Sequence, residues 1–439
     1  MRSFFRVLFS RGDRIHRISP NKHHRMASAG GATAALSMAA YYSSVTIRPP
    51  LATESHEFES KTHHVKDRHG KTVKFKNPYD SFAMPPRSDM FREIWKMWTG
   101  GWPQPKLEEK LVPVVAPQFL PTRTSSDKLR ATWLGHACYY VEYPSGLRVL
   151  FDPVFEDCCA PFSFLGFKRY TEPPCRMADL PFVDAVVISH SHYDHLSYAS
   201  VQEVQKHHPD AHFFVGLGLE KWFKQGGLHN VTELDWWQEA DVTLTPGAAK
   251  AETDATSATS SELLPGQPIT AKITCLPCQH GSGRTPWDRD QTLWASWAVA
   301  SGSPARSVWF GGDTGYRSVA STPRDTKDDY GPEWEHLATC PQFRQIGERL
   351  GPFDLGLIPI GAYQPRRLFS GVHASPRDAV EIFRDTRCAR AVGIHWGTWV
   401  MTPEPPLEPP RLLREALRRR GIAETGVFDV CDIGETREF

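Results

Sequence analysis

The chain has almost no surplus of charge: across 439 residues, 51 Lys and Arg face 50 Asp and Glu, a formal net of +1. A balance this close creates no long-range field of the kind that draws a protein to nucleic acid. No stretch interleaves basic with aromatic residues into a nucleic-acid surface either. The chain also lacks a paired cysteine framework. Its nine cysteines are scattered and odd in number; Cys158 and Cys159 are adjacent, and Cys275 and Cys278 form a C-x-x-C with no second pair to complete a zinc ribbon. They read as buried thiols of a reducing or neutral compartment, with a redox role for the C-x-x-C as the lesser alternative. Acidic residues are nearly missing from the first 25 positions. There Arg2, Arg6, Arg11, Arg14, Arg17, Lys22 and Arg25 face only Asp13, and Phe4, Phe5, Val7, Leu8 and Phe9 interleave with the first of them. Basic, amphipathic and acid-poor is the character of a mitochondrial presequence. The uncharged run Met26 to Ile47 that follows is long enough to span a bilayer, but Ala, Gly, Ser and Thr make it weakly hydrophobic. Residues 1–47 therefore read as a mitochondrial targeting segment and candidate membrane anchor, outside the folded domain.

Residues 48–84 are polar and charged; His56, His63, His64 and His69 show no ligand spacing, so the segment reads as a solvated linker. Residues 85–128 form an aromatic and Pro-rich arm. Within it Phe91 to Trp98 has helical periodicity, with Phe91, Ile94, Trp95 and Trp98 on one face. That face either packs on the domain or forms a lip toward lipid, and Trp102, Pro103 and Phe119 continue the arm. From Leu129 to the end, short strand-like runs dominate: 131–134, 138–142, 148–151, 184–189, 212–215, 242–245, 269–276, 293–300, 307–310, 355–360 and 389–394. Helical patterns fall at 197–207, 376–385 and 410–420. Strands first, then alternation with helices, predict an α+β fold of four layers, an αββα sandwich, over 129–439. A Ser/Thr/Ala-rich stretch without periodicity marks a surface insertion at about 249–268.

The densest chemistry lies in His190-Ser-His192-Tyr-Asp194-His195, directly after the apolar run 184–189. Buried His and Asp must be satisfied by partners, so three imidazoles and a carboxylate in six residues are hard to explain as packing. Together they suit zinc or a similar divalent ion. His190 and His192 alternate along an extended segment and reach one ion; Asp194 and His195 follow as the chain turns and can face a second. Such a site needs further ligands. His280, Asp313 and His395 each follow a short apolar or β-prone run and are bounded by Gly or small residues that let the backbone turn. Taken singly each has a bland reading; together behind the His-rich motif they do not.

The order of these residues resembles the metallo-β-lactamase superfamily. Trp133-Leu-Gly-His-Ala137, Phe151-Asp-Pro-Val-Phe155, Ile358-Pro-Ile-Gly-Ala-Tyr-Gln-Pro-Arg366 and Ile394-His-Trp-Gly-Thr398 resemble, more narrowly, the N-acyl-phosphatidylethanolamine-hydrolysing phospholipase D family, with similarity over about 85–439. The resemblance implies a metallo-β-lactamase sandwich with two Zn2+ ions, other divalent transition metals being alternatives. His190, His192 and His280 would bind one ion, Asp194, His195 and His395 the other, and Asp313 both. It implies Asp194, Asp313 and His373 as catalytic residues, with Tyr193 and His373 contacting substrate. It implies phospholipase D hydrolysis of a membrane phospholipid, N-acyl-phosphatidylethanolamine, by a metal-held hydroxide attacking phosphorus. A homodimer at a membrane surface is implied too, without nucleic acid. Localisation is then mitochondrial and membrane-associated, at the inner membrane, or cytoplasmic and membrane-associated. Alternatives are a lactonase-like hydrolase and a non-catalytic mitochondrial lipid-binding protein. Asp152 is either a turn residue before Pro153 or a carboxylate behind a ligating His. His136 contacts the site or makes a structural hydrogen bond. Arg366 and Arg367 are a solvated loop or a phosphate contact. Val372 stands where the mammalian-type pattern has Gln.

Overall fold

The structure, a computed structural model, describes residues 41–48, 62–99, 101, 112–123, 126–160, 167–246, 267–323, 326 and 328–439. Two sheets carry the domain. Seven strands lie in the order Thr436–Glu438, Arg130–Gly135, Cys138–Glu142, Arg148–Phe151, Ala185–Val187, His212–Gly216 and Val231–Leu234. Alternation along them feeds two cores. Tyr139, Val141, Val149, Phe151, Ala185 and Val187 enter the core shared with the second sheet; Cys138, Tyr140, Leu150 and Val186 point the other way, onto a cluster holding Val201 and Val204 of helix Tyr198–His207 and Phe223 of helix Glu220–Gln225. With both faces covered, these strands read as unbroken apolar runs rather than alternating ones.

The second sheet has eight strands: Tyr41–Arg48, Glu239–Pro246, Ile269–Leu276, Ser296–Ser301, Arg306–Phe310, Phe353–Pro359, Cys388–Ile394 and Phe428–Asp429. Helices Gln342–Arg349, Pro376–Asp385 and Glu408–Arg419 cover it, through Phe343, Ile346, Ile382, Phe383, Leu413 and Leu417. The result is the expected αββα sandwich. In each sheet antiparallel pairing gives way to parallel pairing, at Arg148–Phe151 with Ala185–Val187 and at Arg306–Phe310 with Phe353–Pro359. Ligands of open sheets collect at the carboxyl ends of such strands. His190 follows strand Ala185–Val187, Asp313 follows Arg306–Phe310 and His395 follows Cys388–Ile394.

The N-terminal expectations need correction. Residues 1–40, and with them most of the candidate anchor, lie outside the described residues. Its last residues do not: Tyr41–Arg48 is an edge strand of the larger sheet, antiparallel to Glu239–Pro246, with Val45 opposite Val242. Tyr41 and Val45 pack on the main core. Among the described residues no helix is long and apolar enough to cross a membrane.

Residues 62–84 are not a solvated linker either. Strands His64–Lys66 and Thr72–Phe75 form a hairpin, and His63, Phe75 and Ser81 are buried. Polar composition misleads here because the buried polar groups meet polar partners on the domain: His63 Nε2 lies 2.8 Å from Asp235 Oδ1, and Ser81 Oγ donates to Gln279 Oε1 at 2.6 Å. Helix Arg87–Trp98 exists as expected, but it buries Asp89 and Glu93 while Phe91 and Trp95 are 71% and 61% exposed. Asp89 turns inward because it accepts the Arg367 guanidinium at 2.9 Å. Trp102, Pro103 and nearly all of the insertion lie outside the described residues; Phe119 packs on the helix-side core.

Candidate metal centre

Strand ends from both sheets bring the His and Asp residues together. The two ligand loops approach so closely that only glycine fits between them: Gly312 has φ +56°, and a Cβ there would lie 2.5 Å from the Ser189 side chain. His190 Nε2 is 2.8 Å from His192 Nδ1, which is 3.2 Å from His280 Nε2. These three form one cluster of converging donors. Asp194, His195 and His395 form a second, with both imidazole Nε2 atoms 3.3 Å from Asp194 Oδ2. Asp313 faces both. Its Oδ2 is 3.6 Å from His280 Nε2 and 3.2 Å from His195 Nε2, and its Oδ1 is 3.0 Å from His395 Nε2. All seven sequence-predicted ligands are thus brought together, six of them buried and His192 half-buried.

The surroundings fix the donors. His280 Nδ1 donates to the Val372 carbonyl at 2.8 Å, which leaves Nε2 as the free lone pair facing the cluster. The departure at position 372 therefore has no bearing on this contact, because any residue offers that carbonyl. Asp152 is the carboxylate behind a His: its Oδ2 is 2.6 Å from His195 Nδ1, and it accepts from the Ser189 amide at 2.7 Å and from Ser189 Oγ at 2.5 Å. His136, Asp152 and His395 all have left-handed backbone, at φ 51°, 38° and 64°. Such conformations concentrate where a fold aims side chains at a site.

Burial holds His190 and His280 well below the usual imidazole value, so both are neutral. Burial alone would raise the carboxyls of Asp194 and Asp313, but His195 outweighs it, with His136 helping at Asp194 and His395 at Asp313. Both stay well below the usual carboxylate range. Burial likewise lowers His395, yet Asp313 and Asp194 raise it to about 9. Two ionised carboxylates among buried imidazoles draw positive charge, which divalent cations satisfy. His195 Nε2 and Asp313 Oδ1 are buried without a hydrogen-bond partner, as cation donors would be. The residues therefore fit a metal centre.

His136 is a donor that the sequence left open. Its Nε2 is 3.1 Å from Asp194 Oδ2, its ring lies 4.0 Å from that of His395, and burial lowers its pKa to about 3. His373 stands at the rim, with Nδ1 3.8 Å from Asp313 Oδ2; burial lowers its pKa to about 4. The Tyr193 hydroxyl donates to the Arg284 carbonyl at 3.2 Å, and the Arg284 guanidinium stacks 3.9 Å above the Tyr193 ring. Arg284, not anticipated from the sequence, also donates to the carbonyls of Ser191 and Leu196 and so clamps the His-rich loop.

Arg366 and Arg367 are not a solvated loop: Arg366 pairs with Asp329 at 2.7 Å and Asp378 at 2.9 Å, and Arg367 pairs with Asp89. Cys275 and Cys278 are buried, and burial pushes both thiols well up, which leaves them inert.

Comparison with known proteins agrees with this geometry. A family model described as the β-lactamase superfamily domain matches residues 147–396. The N-acyl-phosphatidylethanolamine-hydrolyzing phospholipase D 1 of Caenorhabditis elegans is 37% identical over 320 residues, 72% of this chain and 77% of that protein. An uncharacterised protein of Mycobacterium tuberculosis is 36% identical over 311 residues, 70% of this chain and 68% of that one. The mitochondrial N-acyl-phosphatidylethanolamine-hydrolyzing phospholipase D of Saccharomyces cerevisiae is 31% identical over 314 residues, 70% of this chain, and the match spans 55% of the yeast protein.

Proposed function

Because the chain belongs to the N-acyl-phosphatidylethanolamine-hydrolysing phospholipase D family of the metallo-β-lactamase superfamily, we propose that this metal-dependent hydrolase cleaves N-acyl-phosphatidylethanolamine to N-acylethanolamine and phosphatidic acid. The observation that carries the reading is the Asp313 carboxylate, which contacts His195 and His280 through one oxygen and His395 through the other. His190, His192 and His280 would hold one zinc ion and Asp194, His195 and His395 a second, with Asp313 common to both; other divalent transition ions suit the same donors. Such ions, when bound, supply an acidified water as nucleophile and Lewis-acid stabilisation of phosphoryl charge.

The chain's own residues orient and exclude. Asp152 and Ser189 fix the rings of His195 and His190. His373 is neutral near pH 7 and the most open imidazole beside Asp313, which suits it to hydrogen-bond a phosphate oxygen rather than to deliver a proton. Tyr193, braced by Arg284, would contact the substrate headgroup. Tyr170, Trp396, Trp399, Val400 and Met401, together with Thr402 and Glu404, line a small hollow of mixed character against His136 and His395. Trp287, at 82% exposure, and the exposed Phe91 and Trp95 suit a membrane surface. The basic, acid-poor first 25 residues and the mitochondrial name of the yeast relative support a mitochondrial, membrane-associated setting.

The test is to incubate the full-length protein with vesicles of N-acyl-phosphatidylethanolamine, with and without a chelator. N-acylethanolamine release that the chelator abolishes and added zinc restores is expected. Absence of chelator-sensitive release would overturn the reading, and turnover of a lactone instead would reassign the substrate.

A further inference from the structure

His63, His64 and Asp235 form a further cluster of metal-type donors, built from none of the metal-centre residues, with all three donor groups within 4.8 Å of one another. His63 Nε2 is 2.8 Å from Asp235 Oδ1, and His64 Nε2 is 3.0 Å from Asp235 Oδ2. The side chains are 9%, 5% and 3% exposed. Neighbouring residues of a strand point to opposite faces; here a turn at Thr62 and His63 brings both imidazoles onto one carboxylate just before the strand begins at His64.

The packing of the two rings resembles that of the His190 cluster in the candidate metal centre. His190 meets His192 edge-on with ring centres 4.5 Å apart at 86°, and His280 at 4.5 Å and 77°. His63 meets His64 at 4.4 Å and 75°. The outer contacts are also those of a ligand set. His64 Nδ1 lies 2.8 Å from Thr72 Oγ1, and His63 stacks on Trp236 at 4.2 Å. Ligating imidazoles are held this way, by a polar partner on the far nitrogen and by packing. Burial would raise the Asp235 carboxyl, but the two imidazoles hold it well below the usual range, so it is an ionised donor.

We propose that His63, His64 and Asp235 bind a further divalent ion, zinc or one of similar softness, which clasps the N-terminal hairpin to the domain. Two imidazoles and one carboxylate are the donor chemistry of such ions. The clasp bears on the catalytic loop. Beyond it, the Phe75 amide donates to the Asp290 carbonyl at 2.8 Å. Asn77 then grips the backbone of His280 from both sides, donating to its carbonyl at 2.7 Å and accepting its amide at 3.2 Å. An ion at the hairpin thus stiffens the arm that holds one ligand of the metal centre.

Zinc per chain is to be measured on the full-length protein after loading and removal of free metal, beside a His64→Gln/Asp235→Asn double variant checked for its fold by circular dichroism. The variant is expected to carry about one zinc fewer per chain. Equal zinc in a folded variant would mean that two imidazoles simply hydrogen-bond one carboxylate, and overturns the proposal. Should the variant not fold, zinc-edge anomalous maps of wild-type crystals decide: a peak among the three side chains supports the site, and its absence there overturns it. Neither readout uses lipid, so this proposal and the proposed activity fail separately.

Discussion

Asp152 acts on the chemistry through another side chain. It fixes the His195 ring from behind and holds Ser189, which in turn lies 2.9 Å from His190 Nδ1. Asp152→Asn should lower zinc affinity or kcat by about 10–100-fold, the usual effect of removing a carboxylate behind a ligating His; a zinc titration beside kcat checks it. His373 differs because its Nδ1 makes no hydrogen bond within the protein. His373→Ala should cut kcat by ~10–100-fold, matching the ~1.5–3 kcal/mol of a hydrogen bond to a charged group, and leave zinc content unchanged. Loss of zinc instead would make His373 a ligand. Four of the seven candidate ligands are legible because donors crowd a loop directly after an apolar strand; His280, Asp313 and His395, isolated at other strand ends, are legible only jointly with them. His136 is not legible as a donor, because only its left-handed backbone, at φ 51°, aims the ring at Asp194. Arg284 is hidden for a similar reason: its partners are carbonyls, which no sequence pattern marks.

At the scale of elements, strands covered on both faces announce themselves as apolar runs, and those between Arg130 and Ile394 fall close to the expected bounds, except Val231–Leu234, which is not anticipated from the sequence. The run 293–300 begins as a strand only at Ser296, since Leu293 and Ala295 instead pair their amides with Leu217 and Ser189 of the other sheet's loops. What the sequence hides are edges and short closures: Tyr41–Arg48, Val231–Leu234, Phe428–Asp429 and Thr436–Glu438, which have one neighbour strand each. Composition hides the first of these especially well, because its Ser and Thr mix with Tyr41 and Val45 in a run that is merely uncharged. The edge strand has a measurable role. A chain starting at Tyr41 should melt close to the full-length protein. One starting at Pro49 should melt several degrees lower and aggregate sooner, since it bares Glu239–Pro246 as an open edge. Equal melting temperatures for the two would show that the strand contributes nothing.

For the whole molecule, near-zero net charge and a two-sheet frame say little about substrate; many chemistries share one fold. Under the proposed reading the discrimination would come from a few side chains at the strand ends. A phospholipase D reaction requires attack at phosphorus and departure of the ethanolamine oxygen, and that choice of bond separates this account from every other hydrolysis of the same lipid. Turnover of N-acyl-phosphatidylethanolamine in 18O-labelled water reads it directly, by mass spectrometry of both products. The account predicts one 18O in phosphatidic acid and none in N-acylethanolamine. Label in the N-acylethanolamine, or in a released fatty acid, would contradict it.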